Sequence, residues 1–231
     1  MHPFSASVFV IIPAFNEEQA IRFVIQEMPA FVKEIVVVDN GSSDNTVSEA
    51  TSAGATVISQ PEPGYGNACL KGIEFLKTKT DPIDVVVFID GDHSDYPAET
   101  KHLVDKVIHE NYDLVIGSRE LGKREPRSMT AAQIFGNRLA TFLLRQLYDV
   151  KFTDLGPFRA VKWEALLKMD MQDKTYGWTV EMQVKAAKLR MKTTEVPVGY
   201  RKRIGFSKIS GTVKGTLMAG YKIITTIFKY K

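Results

Sequence analysis

Two aspartates one residue apart, Asp90 and Asp92, come at the end of the apolar run 85–89, and Asp95 lies three residues further on. Five successive apolar residues predict a strand buried on both faces, so the carboxylates come where that strand ends. Carboxylates at the carboxyl end of a strand offer hard oxygen ligands for Mg²⁺ or Mn²⁺, at the edge where open α/β sheets bind ligands. The stretch by itself also allows a solvated turn whose aspartates cap the next helix.

Length and composition predict one globular domain in a reducing compartment. The chain has 231 residues, of which 44% are hydrophobic, which is enough for a proper core. Its single cysteine, Cys69, permits no disulfide within the chain. Residues 1–7 lack the basic start of a signal peptide, and no run reaches the roughly 18 apolar residues of a membrane-spanning helix. We therefore expect a cytoplasmic protein.

Positive charge is concentrated at the end of the chain. No Asp or Glu follows Glu195, whereas eight Lys and Arg residues do, and the net charge of the whole chain is only +3. A basic end on a mildly acidic body predicts an anionic partner, namely phosphate groups or a lipid surface. Nucleic acid is not expected as a partner, because no nucleic-acid-binding motif accompanies the charge.

Apolar runs alternate with amphipathic stretches along the chain. Strands are predicted at 8–12, 35–38, 56–59, 85–89, 114–116 and 194–198. Helices are predicted at about 16–29, 44–54, 67–77, 98–110, 133–148 and 178–189. This order predicts an α/β fold with a mostly parallel central sheet, right-handed crossovers and helices on both faces.

Two segments outside this alternation are candidates for contacts with a substrate or a membrane. Residues 118–130 form a polar loop of a length that is typical of functional segments. Residues 211–231 have apolar side chains three and four positions apart with lysines between them, which predicts an amphipathic basic helix. Such a helix packs on the core of its own domain or lies on a membrane surface, and the pattern leaves both possibilities open.

The acids do not belong to a dinucleotide site of the Rossmann type. Such a site places glycines in the first strand-to-helix turn, where backbone amides approach a pyrophosphate, and the turn 13–17 has none. Gly64 and Gly66 come later, and two glycines in a loop more often meet a conformational need than cradle a phosphate. An aspartyl-nucleophile phosphatase would be expected to carry its acids after the first strand. Of these three kinds of phosphate site, the one left is a diphosphate held by a metal ion at the acids after the fourth strand.

Eight short motifs follow one another along the chain. They are P-A-F-N-E (13–17), V-V-V-D-N-G-S-S-D (36–44), G-Y-G-N-A (64–68), D-G-D (90–92), G-S-R (117–119), D-L-G-P-F-R (154–159), E-V-P-V (195–198) and S-K-I-S-G (207–211). In their order and spacing the chain resembles the inverting GT-A glycosyltransferases of family 2, and among these the dolichyl- or polyprenyl-phosphate synthases that transfer mannose or glucose. The resemblance covers almost the whole chain and implies the GT-A fold.

The resemblance implies a donor site for a nucleotide diphosphate sugar. Its base, ribose and sugar contacts would be Pro13, Phe15, Glu17, Val38, Asn40, Asp90 and Gly91. Asp90 and Asp92 would hold Mg²⁺ or Mn²⁺ together with the diphosphate, with Asp92 as the direct ligand. The family usually has aspartate at position 40 and often glutamine at position 94, where this chain has Asn40 and Ser94. An amide donates as well as accepts hydrogen bonds, so the family's base preference does not carry over.

The resemblance also implies charged side chains around the phosphates. The basic candidates are Arg119, Arg203, Lys208, Arg127 and Arg159. The first matches a family arginine that meets phosphates, the next two match a late basic pair that closes over the donor, and the last two are candidates for the acceptor phosphate. Glu181 matches an acidic family position and would act as a base towards a hydroxyl acceptor or orient an arginine.

The predicted reaction is inverting transfer of a hexose from a UDP- or GDP-linked donor to a polyprenyl or dolichyl phosphate. An ionised lipid phosphate needs cations to dock it and no strong base. The alternatives are transfer to a soluble hydroxyl with Glu181 as the base, and a nucleotide-sugar-binding module without catalysis. In one domain, 1–231, residues 1–118 would form the nucleotide-binding half, 119–210 the acceptor half and 211–231 the basic helix. The protein would be cytoplasmic, held on the inner face of the membrane peripherally or by a membrane-protein partner.

Overall fold

The computed structural model describes residues 6–205 and 213–231. The strands in this part of the chain are β1 Val8–Ala14, β2 Val32–Asp39, β3 Thr56–Ser59, β4 Val85–Phe88, β5 Leu114–Ser118, β6 Arg159–Lys162 and β7 Thr193–Pro197. The α-helices are α1 Ile21–Gln26, α2 Thr46–Ser52, α3 Tyr65–Lys77, α4 Thr100–His109, α5 Ala131–Tyr148, α6 Trp163–Met169, α7 Trp178–Lys188 and α8 Val213–Lys229. A 3₁₀ turn, Pro97–Glu99, precedes α4.

The strands of the described chain form a seven-stranded sheet in the order β3-β2-β1-β4-β6-β5-β7. β1 pairs in parallel with β2 and β4, β2 with β3, and β5 with β7. β6 runs antiparallel to both of its neighbours, β4 and β5. The mostly parallel α/β sheet predicted from the alternation is confirmed, with an antiparallel strand inserted in it.

Two elements, β6 and α6, are absent from the sequence prediction. β6 has only two apolar residues, Ala160 and Val161, between Arg159 and Lys162, so no apolar run marks it. The Arg159 side chain is nevertheless fully buried, because the backbone oxygens of residues 155, 156 and 179 accept its hydrogen bonds. A charged residue in a central strand conceals that strand from a prediction based on hydrophobicity.

Helices cover both faces of the sheet. On β1, Phe9 and Ile11 point into a core that includes residues of α3, α5, α6, α7 and α8. Val10 and Ile12 point into the opposite core, which includes residues of α1, α2 and α4. The strand is buried on both faces, and this explains why its apolar residues form an uninterrupted run instead of alternating with polar ones.

Three parallel strands bring their carboxyl ends to the same edge of the sheet. β1 ends at Ala14 beside Asp39, the last residue of β2, and β4 lies parallel to β1 on its other side. The segments that follow these strands, 15–17, 40–45 and 89–95, therefore meet at this edge. The parallel pairing of β1 and β4 thus places the predicted acidic pair next to the first turn of the chain.

α8 packs on the core and also exposes an apolar stripe. Ile227 is fully buried, and its backbone oxygen accepts a hydrogen bond from the Tyr148 hydroxyl at 2.5 Å. On the outer side, Leu217, Tyr221 and Phe228 are each more than half exposed. The predicted amphipathic helix is present over Val213–Lys229. In the described part of the chain, no helix combines the length and the apolar character needed to cross a bilayer.

Candidate active site

A cleft of about 550 Å³ opens at the carboxyl edge of the sheet. Its walls come from the segments after β1, β2 and β4, from the loop before α3, and from two residues of the second half of the chain, Tyr176 and Arg203. The predicted site residues that line it are Pro13, Phe15, Glu17, Asn40, Asp90, Gly91, Asp92 and Arg203. Folding therefore brings residues of three separated motifs together with Arg203, which lies outside the motifs.

The remaining predicted donor contacts differ in their placement. Val38 is fully buried in β2 and its side chain belongs to the core, so it does not line the cleft. Gly91 lines the cleft. A Cβ on it would point into the core, 3.3 Å from Ile21 and 3.5 Å from Ile12, so glycine avoids a tight contact there. Lys208 lies outside the described residues.

The turn after β1 is locked to the loop after β2. Asn16 has a left-handed backbone conformation, with φ of 54°, and its side-chain oxygen accepts a hydrogen bond from the Ser43 amide at 2.8 Å. The Glu17 amide donates to the Thr46 hydroxyl at 2.8 Å. These bonds fix the position of Phe15, whose side chain remains 42% exposed in the cleft wall. An exposed aromatic ring on a rigid turn is a stacking surface for a planar base.

Asn40 closes the loop between β3 and α3. Its amide nitrogen donates to the backbone oxygens of Gln60 and Glu62 at 2.8 and 2.7 Å, and its oxygen accepts from the Gly64 amide at 2.8 Å. An aspartate could accept the third of these bonds but could not donate the first two. The departure from the family's usual aspartate thus has a structural role in this chain, because the amide holds one wall of the cleft together.

Gly64 and Gly66 let a distant segment approach the start of α3. Gly64 has φ of 142°, and a Cβ on it would lie 2.2 Å from the backbone oxygen of Lys174. A Cβ on Gly66 would lie 1.9 Å from the backbone oxygen of Asp173. Only glycine permits this close contact of two backbones. The two glycines therefore serve chain packing, and the packed segment carries Tyr176 into the cleft wall.

Asp90 and Asp92 both line the cleft. Burial, together with the charge of Asp92, raises the pKa of Asp90 to about 7. Asp90 Oδ1 is buried without a hydrogen-bond partner among the described residues, whereas Asp92 Oδ1 accepts from the Ser94 amide and hydroxyl at 2.9 and 2.5 Å. Such oxygens fit a divalent cation that binds one or two carboxylates and completes its shell with water and substrate phosphates. No group of three or more acidic, His or Cys side chains in the described chain could form a metal cage by itself.

Arg203 joins two acids across the cleft. Its guanidinium contacts Glu17 Oε1 at 3.0 Å and Asp92 Oδ2 at 3.2 Å. Its Nε is buried without a hydrogen-bond partner in the part of the chain that the structure describes. Arg203 therefore lines the cleft between two acids and has an N–H group without a partner among the described residues.

The backbone on both sides of Arg203 is bonded to the acidic loop. The Arg201 amide donates to the backbone oxygen of Ser94 at 2.9 Å, and the Ile204 amide donates to that of Asp92 at 3.0 Å. These two bonds bracket Arg203. The basic segment after β7 is therefore held against the D-G-D loop by backbone hydrogen bonds as well as by charge.

The Arg201 side chain adds a second connection between the two segments. Its Nε donates to the backbone oxygen of His93 at 2.6 Å, and a terminal nitrogen pairs with Glu27 at 2.9 Å. The guanidinium also lies 4.3 Å from the centre of the Tyr96 ring. Sequence reasoning missed the role of Arg201, because nothing distinguishes it from the other basic residues near the end of the chain.

Arg119 is buried in an ion pair outside the cleft lining. Its Nε and a terminal nitrogen donate to the two carboxylate oxygens of Asp154 at 2.8 and 2.6 Å, and its backbone amide donates to the same carboxylate at 2.8 Å. Burial raises the pKa of Asp154, but the charge and hydrogen bonds of Arg119 outweigh burial and hold that pKa below its ordinary value. The guanidinium lies 5.0 Å from the centre of the Tyr200 ring.

Asp95 is a third buried acid near the cleft. Both of its carboxylate oxygens are buried without a hydrogen-bond partner among the described residues. Burial and the charge of Asp90 raise its pKa well above the ordinary value. The sequence reveals this acid, but only the fold shows that it is enclosed.

Glu181 is fully buried and surrounded by partners. Its carboxylate accepts hydrogen bonds from the amides of Gln172 and Asp173 at 3.0 and 2.7 Å and from the Tyr230 hydroxyl at 2.6 Å. It also pairs with Lys185 at 2.8 Å. With these partners the carboxylate has no exposed surface, and Glu181 does not line the cleft.

The two candidates for the acceptor phosphate also lie outside the cleft lining. Arg159 is fully buried in β6 against backbone oxygens, and burial lowers its pKa to about 10. Arg127 is exposed on the loop between β5 and α5 and has φ of 64°. The fold does not bring either guanidinium together with the acidic pair.

Two aromatic residues of the cleft wall, Tyr65 and Tyr176, are not among the predicted site residues. Tyr65 lies inside the G-Y-G-N-A motif, so the motif could have identified it. Tyr176 lies in a stretch without a motif, and only the packing of residues 173–174 on Gly64 and Gly66 brings it to the cleft.

A comparison with solved structures identifies the fold class. Glucosyl-3-phosphoglycerate synthase from Mycobacterium tuberculosis, solved in complex with Mn²⁺, uridine diphosphate and glucosyl-3-phosphoglycerate, is similar with a TM-score of 0.77 and 22% identity. The match covers 98% of this chain and 80% of that chain. The seven-stranded sheet flanked by helices is the GT-A fold, as the sequence motifs predict.

Sequence comparisons identify the family within that class. The family model described as "Glycosyl transferase family 2" matches residues 9–169. An uncharacterized glycosyltransferase of Mycobacterium tuberculosis is 34% identical over 218 residues, which cover 92% of this chain and 94% of the relative. A dolichyl-phosphate hexose transferase of Haloferax volcanii is 35% identical over 205 residues, which cover 87% and 85%. The chain belongs to glycosyltransferase family 2, and it is a glycosyltransferase enzyme.

Proposed function

We propose that this enzyme transfers a hexose, with inversion, from a UDP- or GDP-linked donor to a polyprenyl or dolichyl phosphate. The observation that carries the proposal is the cleft in which Asp90 and Asp92 lie beside Arg203, with the exposed ring of Phe15 in the same wall. The similarity to a dolichyl-phosphate hexose transferase over most of both chains favours a lipid phosphate as the acceptor.

The cleft offers groups for the base and for the diphosphate of a nucleotide diphosphate sugar. Phe15 would stack on the base, and Arg203 would bind a phosphate oxygen, with Lys208 assisting. Asp90 and Asp92 would hold Mg²⁺ or Mn²⁺, and the Mn²⁺ and uridine diphosphate bound by the structural relative support this assignment. When bound, the cation would neutralise the charge that develops on the departing diphosphate.

The surroundings of Glu181 favour a phosphate acceptor over a hydroxyl acceptor. A hydroxyl must lose a proton as it attacks, so it needs a base within hydrogen-bond reach. Glu181 is enclosed and is already bonded to Tyr230 and Lys185. An ionised phosphate needs no base, so the enclosure of Glu181 is compatible with transfer to a lipid phosphate.

The test is incubation of the enzyme with a panel of UDP- and GDP-linked hexoses, Mn²⁺ or Mg²⁺ and undecaprenyl phosphate, with sugar measured in the organic phase. We expect organic-phase product, and we expect Asp92→Asn to lower its rate at least about 100-fold. The control is Asp105→Asn, which removes a surface carboxylate paired with Lys101 and should leave the rate unchanged.

Two results would contradict the proposal. Product found only in the aqueous phase would indicate a soluble acceptor. Metal-dependent donor binding with neither transfer nor donor hydrolysis would indicate a binding module without catalysis.

A further inference from the structure

α5 exposes three large apolar side chains on one face. Phe135 is 70% exposed, Leu139 38% and Phe142 56%. Residues at positions i, i+4 and i+7 lie on the same side of a helix, so the three side chains form a stripe. The opposite side of α5 packs into the core through Ala140 and Leu144.

α8 carries a second stripe beside the first. Leu217, Tyr221 and Phe228 are exposed at positions i, i+4 and i+11, which again lie on one side of the helix. The bond from the Tyr148 hydroxyl to the Ile227 backbone oxygen joins the two helices, and both pack on the same core. Both stripes therefore lie on the outer side of one helical layer, and we call them together the docking face.

The charged residues of the two helices are all basic. Neither α5 nor α8 contains an Asp or a Glu. Arg138 and Arg145 on α5 and Lys229 on α8 are exposed. Apolar side chains on helices whose charged residues are all basic suit the headgroup region of an anionic bilayer. A second copy of the chain would bring the same positive charges against each other, so self-association through this face is disfavoured.

The helices of the docking face contact two other segments, one of which leads to the cleft wall. Asn137 of α5 donates a hydrogen bond to the backbone oxygen of Thr153 at 3.0 Å, beside the aspartate that pairs with Arg119. Lys222 of α8 pairs with Asp173 at 3.0 Å, three residues before the cleft residue Tyr176. A membrane bound at this face would thus lie close to the part of the enzyme that holds the cleft.

We infer that the docking face binds the surface of an anionic lipid bilayer, with its apolar side chains among the upper acyl chains and its basic side chains at the headgroups. The inference deepens the proposed function and rests on it for its purpose, because a face on the bilayer would bring the cleft to a lipid phosphate. The binding itself requires neither the nucleotide sugar nor the polyprenyl phosphate, so it can be measured without them.

The test is flotation of the full chain with vesicles of phosphatidylglycerol and phosphatidylcholine in equal parts, without donor or acceptor. We expect flotation at low salt and release at high salt. Phe135→Ser with Phe142→Ser should lower the bound fraction about tenfold, and Arg138→Glu with Arg145→Glu should do the same. Val47→Ser is the control, because Val47 is 43% exposed on α2, on the other side of the sheet, and should float like the wild type.

Two further measurements make the outcome decisive. The variants should keep the wild-type thermal unfolding midpoint and the wild-type rate of transfer to an acceptor held in detergent micelles. If the enzyme floats with the vesicles but all of its products are water-soluble, the proposed lipid acceptor is wrong and the inference of membrane binding still holds. Three results would overturn the inference of membrane binding. The wild type fails to float, or both double variants float as well as the wild type. The third result is a wild-type dimer that does not float and that Phe135→Ser with Phe142→Ser dissociates.

Discussion

Arg203, from the basic end of the chain, lines the cleft. The segment that carries it is held in place by hydrogen bonds of Arg201. Arg201 is bonded to the D-G-D loop through its backbone and its side chain, and it pairs with Glu27 at 2.9 Å. A surface pair of this kind contributes only about 0 to 1 kcal/mol to stability. We propose that the Arg201–Glu27 pair serves to position Arg203 against Asp92.

Glu27→Gln tests this positioning role. We expect the KM for the nucleotide sugar to rise about threefold to tenfold while kcat stays within about twofold, because the misplaced Arg203 loses contact with donor phosphate. The measurement is steady-state transfer at varied donor concentration. Glu49→Gln is the matched control, since Glu49 of α2 pairs at 2.8 Å with Arg22 of α1, the helix that Glu27 directly follows. Equal effects of the two substitutions would show that Glu27 contributes only to the surface of α1.

At the residue scale, motifs identify the acids and miss their partners. The sequence predicts Asp90 and Asp92, because acids after an apolar run mark the end of a buried strand. It does not predict the bonds of Asn40, since the backbone oxygens of Gln60 and Glu62 reach the amide only after the loop has folded. A functional side chain can therefore be predicted from its motif, whereas the backbone groups that bond to it can be identified only in the folded structure.

Among the secondary-structure elements, β5 and β6 are tied together by the Arg119–Asp154 pair. Arg119 directly follows β5, and Asp154 lies five residues before β6. Both side chains are buried, so removal of one partner leaves the other charge uncompensated. The pair thus stabilises the junction between β5 and the segment that leads into β6.

Asp154→Asn should lower the free energy of unfolding by about 3 to 5 kcal/mol at neutral pH. Because the pKa of Asp154 is held below its ordinary value, the pair's contribution is complete above a pH of about 4 and is lost as the pH falls through the folded-state pKa. The difference between wild type and variant, measured by urea unfolding, should therefore shrink in acid. Asp105→Asn is the surface control, and we expect it to cost no more than about 0.5 kcal/mol. A difference that grows in acid would contradict this account of the pair.

At the element scale, strands with long apolar runs are predicted and the strand with a buried arginine is not. β1 and β4 are recognised because they are buried on both faces. β6 is missed because the Arg159 guanidinium donates to the backbone oxygens of Leu155, just before the strand, and of Thr179 in α7, which are brought to it only by the fold. The antiparallel insertion of β6 also cannot be inferred from the order of elements, which favours parallel crossovers.

On the scale of the whole molecule, the sheet runs through both predicted halves. β6, which belongs to the predicted acceptor half, pairs with β4 and β5 of the predicted nucleotide-binding half. The strands of each half therefore complete the hydrogen bonding of the other. This arrangement predicts one cooperative folding unit.

Urea unfolding followed by two probes tests that cooperativity. Both tryptophans, Trp163 and Trp178, lie in the acceptor half, so their fluorescence reports on that half, while far-ultraviolet circular dichroism reports on the whole chain. We expect coincident transitions, because neither half can keep its sheet without the other. Two separated midpoints would show that the halves unfold independently.

The proposed acceptor is an ionised lipid phosphate, whose oxygen attacks the anomeric carbon of the hexose without a protein base while the nucleoside diphosphate departs. The most direct measurement compares transfer of labelled hexose to undecaprenyl phosphate with transfer to undecaprenol, the same lipid without the phosphate, under otherwise identical conditions. We predict organic-phase product with the phosphate and none with the alcohol. Product with the alcohol, or label found only in water-soluble products, would contradict the claim.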